Sequence, residues 1–119
     1  MADVSSIFIY PAKDEPGQEL DSVGISEGGL DGDRRKKSPV HLVTAADYVA
    51  EHPRANLVLD IETEDLNALV GHRLRIGSVE LEVTSRAGNC PGVYAVVPVP
   101  GELAVEDEVT VGIPDSPGG

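Results

Sequence analysis

The amino-acid sequence predicts a mostly β domain, a partly closed β-barrel with two short helices. Valine is the most frequent apolar residue, and β-branched side chains favour strands. Thirteen glycines and nine prolines separate short apolar runs, which is typical of many strands joined by turns. With one Phe, three Tyr and no Trp, the core has to be built from aliphatic side chains. We therefore expect about seven short strands around an aliphatic interior.

The first third of the chain is expected to contain few regular elements. A strand at Val4–Tyr10 ends at Pro11. Residues 11–33 are rich in Gly, Pro, Ser and acidic residues, so we expect a loop with one short strand at most. The next strand is expected at Val40–Val43, where an apolar run resumes.

A short helix follows this strand in the prediction. Thr44 can cap its N-terminus, Asp47 stands in the reciprocal position of a capping box, and Pro53 prevents further extension. The continuous apolar run Ala55–Ile61 then predicts a strand covered on both faces.

The second helix and the closing strands come next. Thr63 can cap a short helix that Gly71 ends. Strands are expected at Val93–Val99 and Val109–Ile113, separated by a turn at Pro100-Gly101. Residues 1–113 are thus interpreted as a single domain, and 114–119 as a disordered tail.

The clearest local signal is a β-hairpin closed by the two-residue loop Gly77-Ser78. One face of this hairpin is aliphatic, and the other carries opposite charges across the strands. Each such pair contributes about 0.2–1 kcal/mol, and the agreement of both faces fixes the register. The expected pairs are Ile76 with Val79, Arg75 with Glu80, Leu74 with Leu81, and Arg73 with Glu82. Because both arginines have this structural explanation, neither is assigned to a site.

The charge balance excludes some classes of partner. Twenty-one acidic against nine basic residues give a net charge of −12, which disfavours nucleic acid and anionic membranes as partners. No apolar run approaches the length of a membrane span, and the N-terminus lacks the basic-then-apolar pattern of a signal peptide. With a lone cysteine and hence no disulfide framework, a cytoplasmic location is expected.

Cys90 is the only cysteine, and glycine and proline around it predict a tight turn. A single thiol forms no internal disulfide, so its use is chemical, metal-binding or intermolecular, unless it is an inert part of the core. The histidines (His41, His52 and His72) have no metal-ligand spacing. A Cys–His dyad stays open, because nothing in the sequence identifies its partner.

Two further motifs suggest ligand binding. The stretch Gly28–Arg35 combines glycines, whose adjacent amides can form an anion site, with arginines that bind phosphate or carboxylate in a fork. It matches neither a Walker loop nor a dinucleotide fingerprint, and a plain surface turn is the alternative. Arg54 and Asn56 precede an apolar strand, where they can recognise a polar ligand or satisfy a turn.

The order of these motifs resembles the MOSC domain, named after the C-terminal part of molybdenum-cofactor sulfurases. The resemblance covers roughly residues 24–112, which is most of the chain. The matching motifs are Gly29-Leu30-Asp31-Gly32-Asp33-Arg34, Arg54-x-Asn56-Leu57, Gly71-x-x-Leu74-x-Ile76-Gly77, and finally Cys90.

The resemblance implies a β-barrel-like fold with a molybdenum-pterin pocket or a sulfur-transfer site at the cysteine. Cys90 would be either a molybdenum ligand or the carrier of a persulfide, because thiolate is a soft ligand and also the form that accepts sulfur. Pyridoxal phosphate binding and catalytic activity are further properties that the resemblance implies. The residues that would hold an anionic cofactor are Gly32, Asp33, Arg34, Arg54 and Asn56, with Arg34 the candidate for its phosphate.

The resemblance implies as partners a cysteine desulfurase, or a molybdoenzyme or electron-transfer protein. The oligomeric state stays open.

One departure from the family pattern is Arg35–Pro39, where many relatives carry a His-Gly-Gly segment. Two alternatives remain: a small molybdenum reductase of N-hydroxylated compounds, which would need electron-donor partners, and a non-catalytic binding domain in which Cys90 is part of the core.

Overall fold

The computed structural model of the protein describes residues 2–12, 16–33, 39–51, 53, 55–87 and 91–112. These residues form eleven strands and two short helices. In chain order they are β1 (Ala2–Ile9), β2 (Gln18–Leu20), β3 (Ser22–Ser26), β4 (Gly29–Leu30), β5 (Val40–Thr44), α1 (Ala45–Glu51), β6 (Leu57–Leu59), α2 (Thr63–Asn67), β7 (Arg73–Ile76), β8 (Val79–Arg86), β9 (Val93–Val99), β10 (Gly101–Ala104) and β11 (Glu108–Gly112).

Seven of the strands form a closed barrel, in the order β11-β7-β8-β9-β5-β6-β1. The ring closes where Ala2 and Asp3 of β1 pair with Val109 and Glu108 of β11. All neighbours are antiparallel except β5 and β6, which run parallel because α1 connects them as a crossover. The predicted fold class is therefore confirmed, and the closure through β1 and β11 is complete.

The barrel interior is aliphatic, as the composition predicts. Every barrel strand contributes buried side chains to it, and Ile7, Leu42, Leu57, Leu74 and Leu81 are fully buried. A smaller cluster lies outside the barrel, where Tyr48 of α1 stacks on Phe8 with ring centroids 5.2 Å apart. Strand β6 is covered on both faces by these two clusters, which explains its continuous apolar run.

The prediction for residues 11–33 is wrong, since this stretch contains β2, β3 and β4. Strand β10 was not expected either, and it pairs with β3 to complete a three-stranded sheet of order β10-β3-β4. These strands have two to five residues each and lie between turn-forming residues, so their local pattern is weak. Strands β3 and β10 pair with each other across about 80 residues of sequence, and local patterns do not report such pairing. Strands β2 and β4 pair with the nearby β1 and β3, but they have only three and two residues.

The helix caps differ in part from the prediction. The backbone N–H of Asp47 donates to Thr44 Oγ1 at 3.0 Å, so Thr44 caps α1 as expected. The Asp47 carboxylate instead accepts from Thr63 Oγ1 at 3.2 Å, which ties the start of α2 to α1. Thr63 is therefore not the cap of α2; Glu62 occupies that position without a side-chain capping bond.

No helix among the described residues is long and apolar enough to cross a membrane. The predicted strand end at Ile113 and the tail 114–119 lie outside the described residues.

The β7–β8 hairpin has the predicted register at all four pairs. Gly77 has φ of +59°, as the first position of a two-residue hairpin loop requires, and this favours glycine. Arg75 Nη2 lies 3.1 Å from Glu80 Oε2, and Arg73 lies 3.7 Å from Glu80 and 3.9 Å from Glu82. The arginines thus have the structural partners expected.

We expect Arg75→Gln to lower the free energy of unfolding by at most about 0.5 kcal/mol, because this ion pair is exposed to solvent. Arg75→Lys, which keeps a positive charge beside Glu80, should lose less. Urea denaturation measures both, and a loss above about 2 kcal/mol would contradict the surface role.

Candidate functional site

The described ends of three loops meet around the first residues of β5, β6 and β9. Asp33 lies in the loop before β5, Asn56 directly precedes β6, and Pro91 lies in the loop before β9. His41, the second residue of β5, lies between them. We call Asp33, Asn56, His41 and Pro91 the loop-linking network, because hydrogen bonds join them in this order.

Asn56 is the centre of the loop-linking network, and its side chain is fully buried. Its Oδ1 accepts from the backbone N–H of His41 at 3.0 Å. Its Nδ2 donates to Asp33 Oδ2 at 3.1 Å and to the carbonyl oxygen of Phe8 at 3.3 Å. An amide side chain is required here, since it must donate and accept at once. In this arrangement Asn56 fixes the relative positions of three segments.

Asp33 is held from two sides. Its Oδ1 accepts from the backbone N–H of Tyr10 at 2.7 Å, while Oδ2 accepts from Asn56. The preceding Gly32 has φ of +86°, and a Cβ there would lie 2.9 Å from Ile9 Cδ1. The backbone turn that presents Asp33 therefore favours glycine at position 32.

His41 connects the network to the loop before β9. Its Nε2 lies 2.8 Å from the carbonyl oxygen of Pro91. A carbonyl oxygen only accepts, so Nε2 carries the proton in this bond. The imidazole is 7% exposed, and its ring centroid lies 5.0 Å from that of Tyr94. Sequence reasoning missed His41 because a histidine in an apolar strand has no spacing signal; only the strand pairing brings it to Pro91.

The loop before β9 is closed tightly at its base. The backbone N–H of Ala87 donates to the carbonyl oxygen of Gly92 at 3.0 Å. Gly92 has φ of +96°, and a Cβ at this position would overlap the carbonyl oxygen of Leu42. Glycine is thus the residue that lets the loop approach β5 closely enough for the His41 bond.

Three of the predicted site residues, Arg34, Arg54 and Cys90, lie outside the described residues. Each is a direct chain neighbour of a described residue: Asp33, Ala55 and Pro91. The other three, Gly32, Asp33 and Asn56, lie together as described above. Among the described residues, no group of three His, Cys, Asp or Glu side chains is placed to hold a metal ion.

We expect His41→Phe to lower the free energy of unfolding by about 1 kcal/mol. Phenylalanine keeps the packing on Tyr94 but leaves the Pro91 carbonyl oxygen without its donor. Denaturant unfolding measures the effect, with His72→Phe as the matched control because the His41–Pro91 bond stays intact in it. A His41→Phe variant as stable as the parent would contradict the proposed link to the loop before β9.

Solved structures with a similar fold are consistent with the MOSC-like fold expected from the motifs. The YuaD protein from Bacillus subtilis superposes with a TM-score of 0.75 at 14% identity, covering 93% of this chain and 96% of that one. YiiM from Geobacillus stearothermophilus superposes with a TM-score of 0.70 at 11% identity, covering 95% of this chain and 76% of that one. YiiM from Escherichia coli superposes with a TM-score of 0.66 at 17% identity, covering 94% of this chain and 68% of that one.

Neither a protein-family model nor a curated protein sequence matches this chain. The likeness to the solved structures is therefore a likeness of fold at 11–17% identity. It agrees with the MOSC-like fold expected from the motifs, and it assigns no ligand and no reaction.

Proposed function

We propose that this protein is a MOSC-like domain that binds molybdenum cofactor or carries activated sulfur on Cys90. The observation that supports the proposal is the loop-linking network. Its hydrogen bonds join Asp33, Asn56 and Pro91, and the motifs that suggested a site in the sequence surround these same residues. The segments with Arg34, Arg54 and Cys90 are thus each bounded by a residue close to this network.

The donor set at these positions fits the implied cofactor. A pterin cofactor with a phosphate needs cationic or N–H donors, and Arg34 and Arg54 supply forked donors for a phosphate. The nearby negative charge of Asp33 is directed to protein groups, because both carboxylate oxygens accept hydrogen bonds from the protein. The soft thiolate of Cys90 suits molybdenum.

Each residue then has a distinct role. Arg34 and Arg54 hold the anionic part of the cofactor, and Cys90 supplies the sulfur ligand. Asn56 and Asp33 act as positioning residues, since their side chains bond to the protein in the described arrangement. When bound, the molybdenum centre supplies two-electron redox chemistry; the protein positions it and controls access to it.

In the sulfur-carrier form of the proposal, the Cys90 thiolate attacks the outer sulfur of a cysteine persulfide on a donor protein. A new S–S bond forms at Cys90, the S–S bond of the donor breaks, and the donor cysteine leaves as a thiolate. The transferred sulfur keeps its oxidation state, so no further oxidant or reductant is needed. His41 contributes by holding the Pro91 carbonyl next to Cys90 in the chain.

Mass spectrometry distinguishes the two forms. The protein is incubated with a cysteine desulfurase and cysteine, and its intact mass is measured before and after dithiothreitol treatment. A gain of one sulfur atom that dithiothreitol removes, and that Cys90→Ser abolishes, supports the carrier form. Retention of pterin and molybdenum without this gain supports the ligand form. The proposal fails if neither occurs.

A further inference from the structure

A groove separate from the site runs between α2 and the end of β11. It has a volume of about 560 Å³. Leu69, Val109 and Val111 provide its apolar surface, and Val111 is 49% exposed. The groove begins at Asp60, after the end of β6, whereas Asn56 precedes the start of the same strand. The two features therefore lie at opposite ends of β6.

In the described part of the chain, the charged residues at the sides of this groove are all acidic. Asp60, Glu62 and Asp65 line it and are all exposed, and no basic residue is among the described lining residues. Three carboxylates beside an apolar surface favour a cationic ligand with apolar side chains, and they disfavour an acidic one.

Among the described residues, the edge of β11 along this groove has no neighbouring strand at Val111. Ile76 and Val79 flank the two-residue hairpin loop, so the backbone groups of Ile76 are directed to β8. Because the direction alternates along β7, the backbone N–H and C=O groups of Arg75 are directed to Thr110 of β11. The backbone N–H and C=O groups of Val109 and Val111 are therefore directed away from β7. Ala2 of β1 lies opposite Val109, and among the described residues no strand lies opposite Val111 on that side.

We propose that this groove binds an extended cationic segment of a partner protein, which adds a strand to β11 at Val111. The backbone of the segment pairs with the N–H and C=O groups of Val111. Its apolar side chains enter the groove against Leu69 and Val109, and its basic side chains reach Glu62 and Asp65. This surface is independent of the function proposed for Cys90.

The probe is the peptide acetyl-Arg-Val-Arg-Val-Arg-amide, titrated into ¹⁵N-labelled protein at low salt. Saturable amide shifts are expected at Thr110–Gly112 and in α2. Three control peptides test one element each: Glu in place of Arg, Ser in place of Val, and N-methylation of both valines to remove the backbone donors. Each control peptide is expected to bind roughly tenfold more weakly or not at all.

Variants of the protein test the same surface. Glu62→Gln/Asp65→Asn is expected to weaken the probe roughly tenfold at low salt, an effect that added salt reduces. The control Glu19→Gln/Asp21→Asn removes the same charge from exposed positions on and beside β2 and should leave the affinity unchanged. Val111→Lys replaces apolar surface with a charge that repels the probe and should abolish binding, whereas Val99→Lys, at a residue 39% exposed on β9, should not.

Four results would overturn the proposal: no saturable shift, shifts at another surface, equal binding of the Glu peptide, or no effect of Val111→Lys. Contacts in the free protein between residues 113–119 and Leu69, seen as nuclear Overhauser effects, would assign the groove to the chain's own C-terminal segment instead. A concentration-dependent dimer that buries Val111 would assign it to a second copy.

Discussion

Asn56→Ala is expected to lower the free energy of unfolding by about 3 kcal/mol or more. The substitution removes the partner of the His41 amide, of Asp33 Oδ2 and of the Phe8 carbonyl oxygen at a fully buried position. Each buried group left without a partner costs about 1–3 kcal/mol. Since a domain of this size has a total stability of only about 5–15 kcal/mol, the loss is a large part of the whole.

Chemical denaturation of Asn56→Ala gives this value, and hydrogen exchange at the His41 amide shows its origin. That amide should exchange faster in the variant relative to other amides of β5, because its acceptor is gone. Asn67→Ala at the end of α2 is the matched control, with an expected change within about 0.5 kcal/mol. A loss below about 1 kcal/mol for Asn56→Ala would show that the network does not hold the loops together.

The barrel could be predicted because its strands carry strong local patterns. The β7–β8 hairpin is the best example: a two-residue loop and two chemically distinct faces allow only one register. Strands β2, β3, β4 and β10 were missed because each is short, and the pairing of β3 with β10 joins distant segments.

The site was predictable in part. Two separate motifs singled out Gly32 with Asp33 and Asn56, the resemblance to the MOSC domain grouped them, and the structure brings Asp33 and Asn56 into contact. Their partners were not predictable. His41 is part of the loop-linking network because β5 pairs with β9 and because its side chain bonds to Pro91. A single sequence carries no signal of either contact. Asn56 was expected either to recognise a polar ligand or to satisfy a turn, and the structure gives its buried side chain protein partners; its part in cofactor binding stays a prediction.

Cys90→Ser is expected to reduce cofactor retention or persulfide formation at least a hundredfold. A hydroxyl is a harder and much weaker ligand for molybdenum than a thiolate, and it forms no persulfide. The exchange of one atom should leave the stability of the barrel within about 0.5 kcal/mol of the parent. Retention of molybdenum and sulfur by the serine variant would mean that Cys90 carries neither function.

Cys90→Ala is the matched control for the size and polarity of the side chain. It should behave as the serine variant does, because both lack the thiol. Asp33→Asn complements them: it keeps one of the two oxygen acceptors, for Tyr10 or for Asn56, and removes the charge, so its defect should be smaller than that of either cysteine variant. A larger defect in Asp33→Asn than in Cys90→Ser would show that the Asp33 carboxylate, and not the Cys90 thiol, carries the function.

The most direct test of the proposed function is the molybdenum and pterin content of the protein and of its Cys90→Ser variant, purified from a host that makes the cofactor. A second sample of each is treated with a cysteine desulfurase and cysteine. We expect the parent protein to contain either molybdenum with pterin in near-stoichiometric amount or one added sulfur on Cys90, and the variant to contain neither. A parent protein that contains no cofactor and gains no sulfur, and that is indistinguishable from its variant, would contradict the proposal.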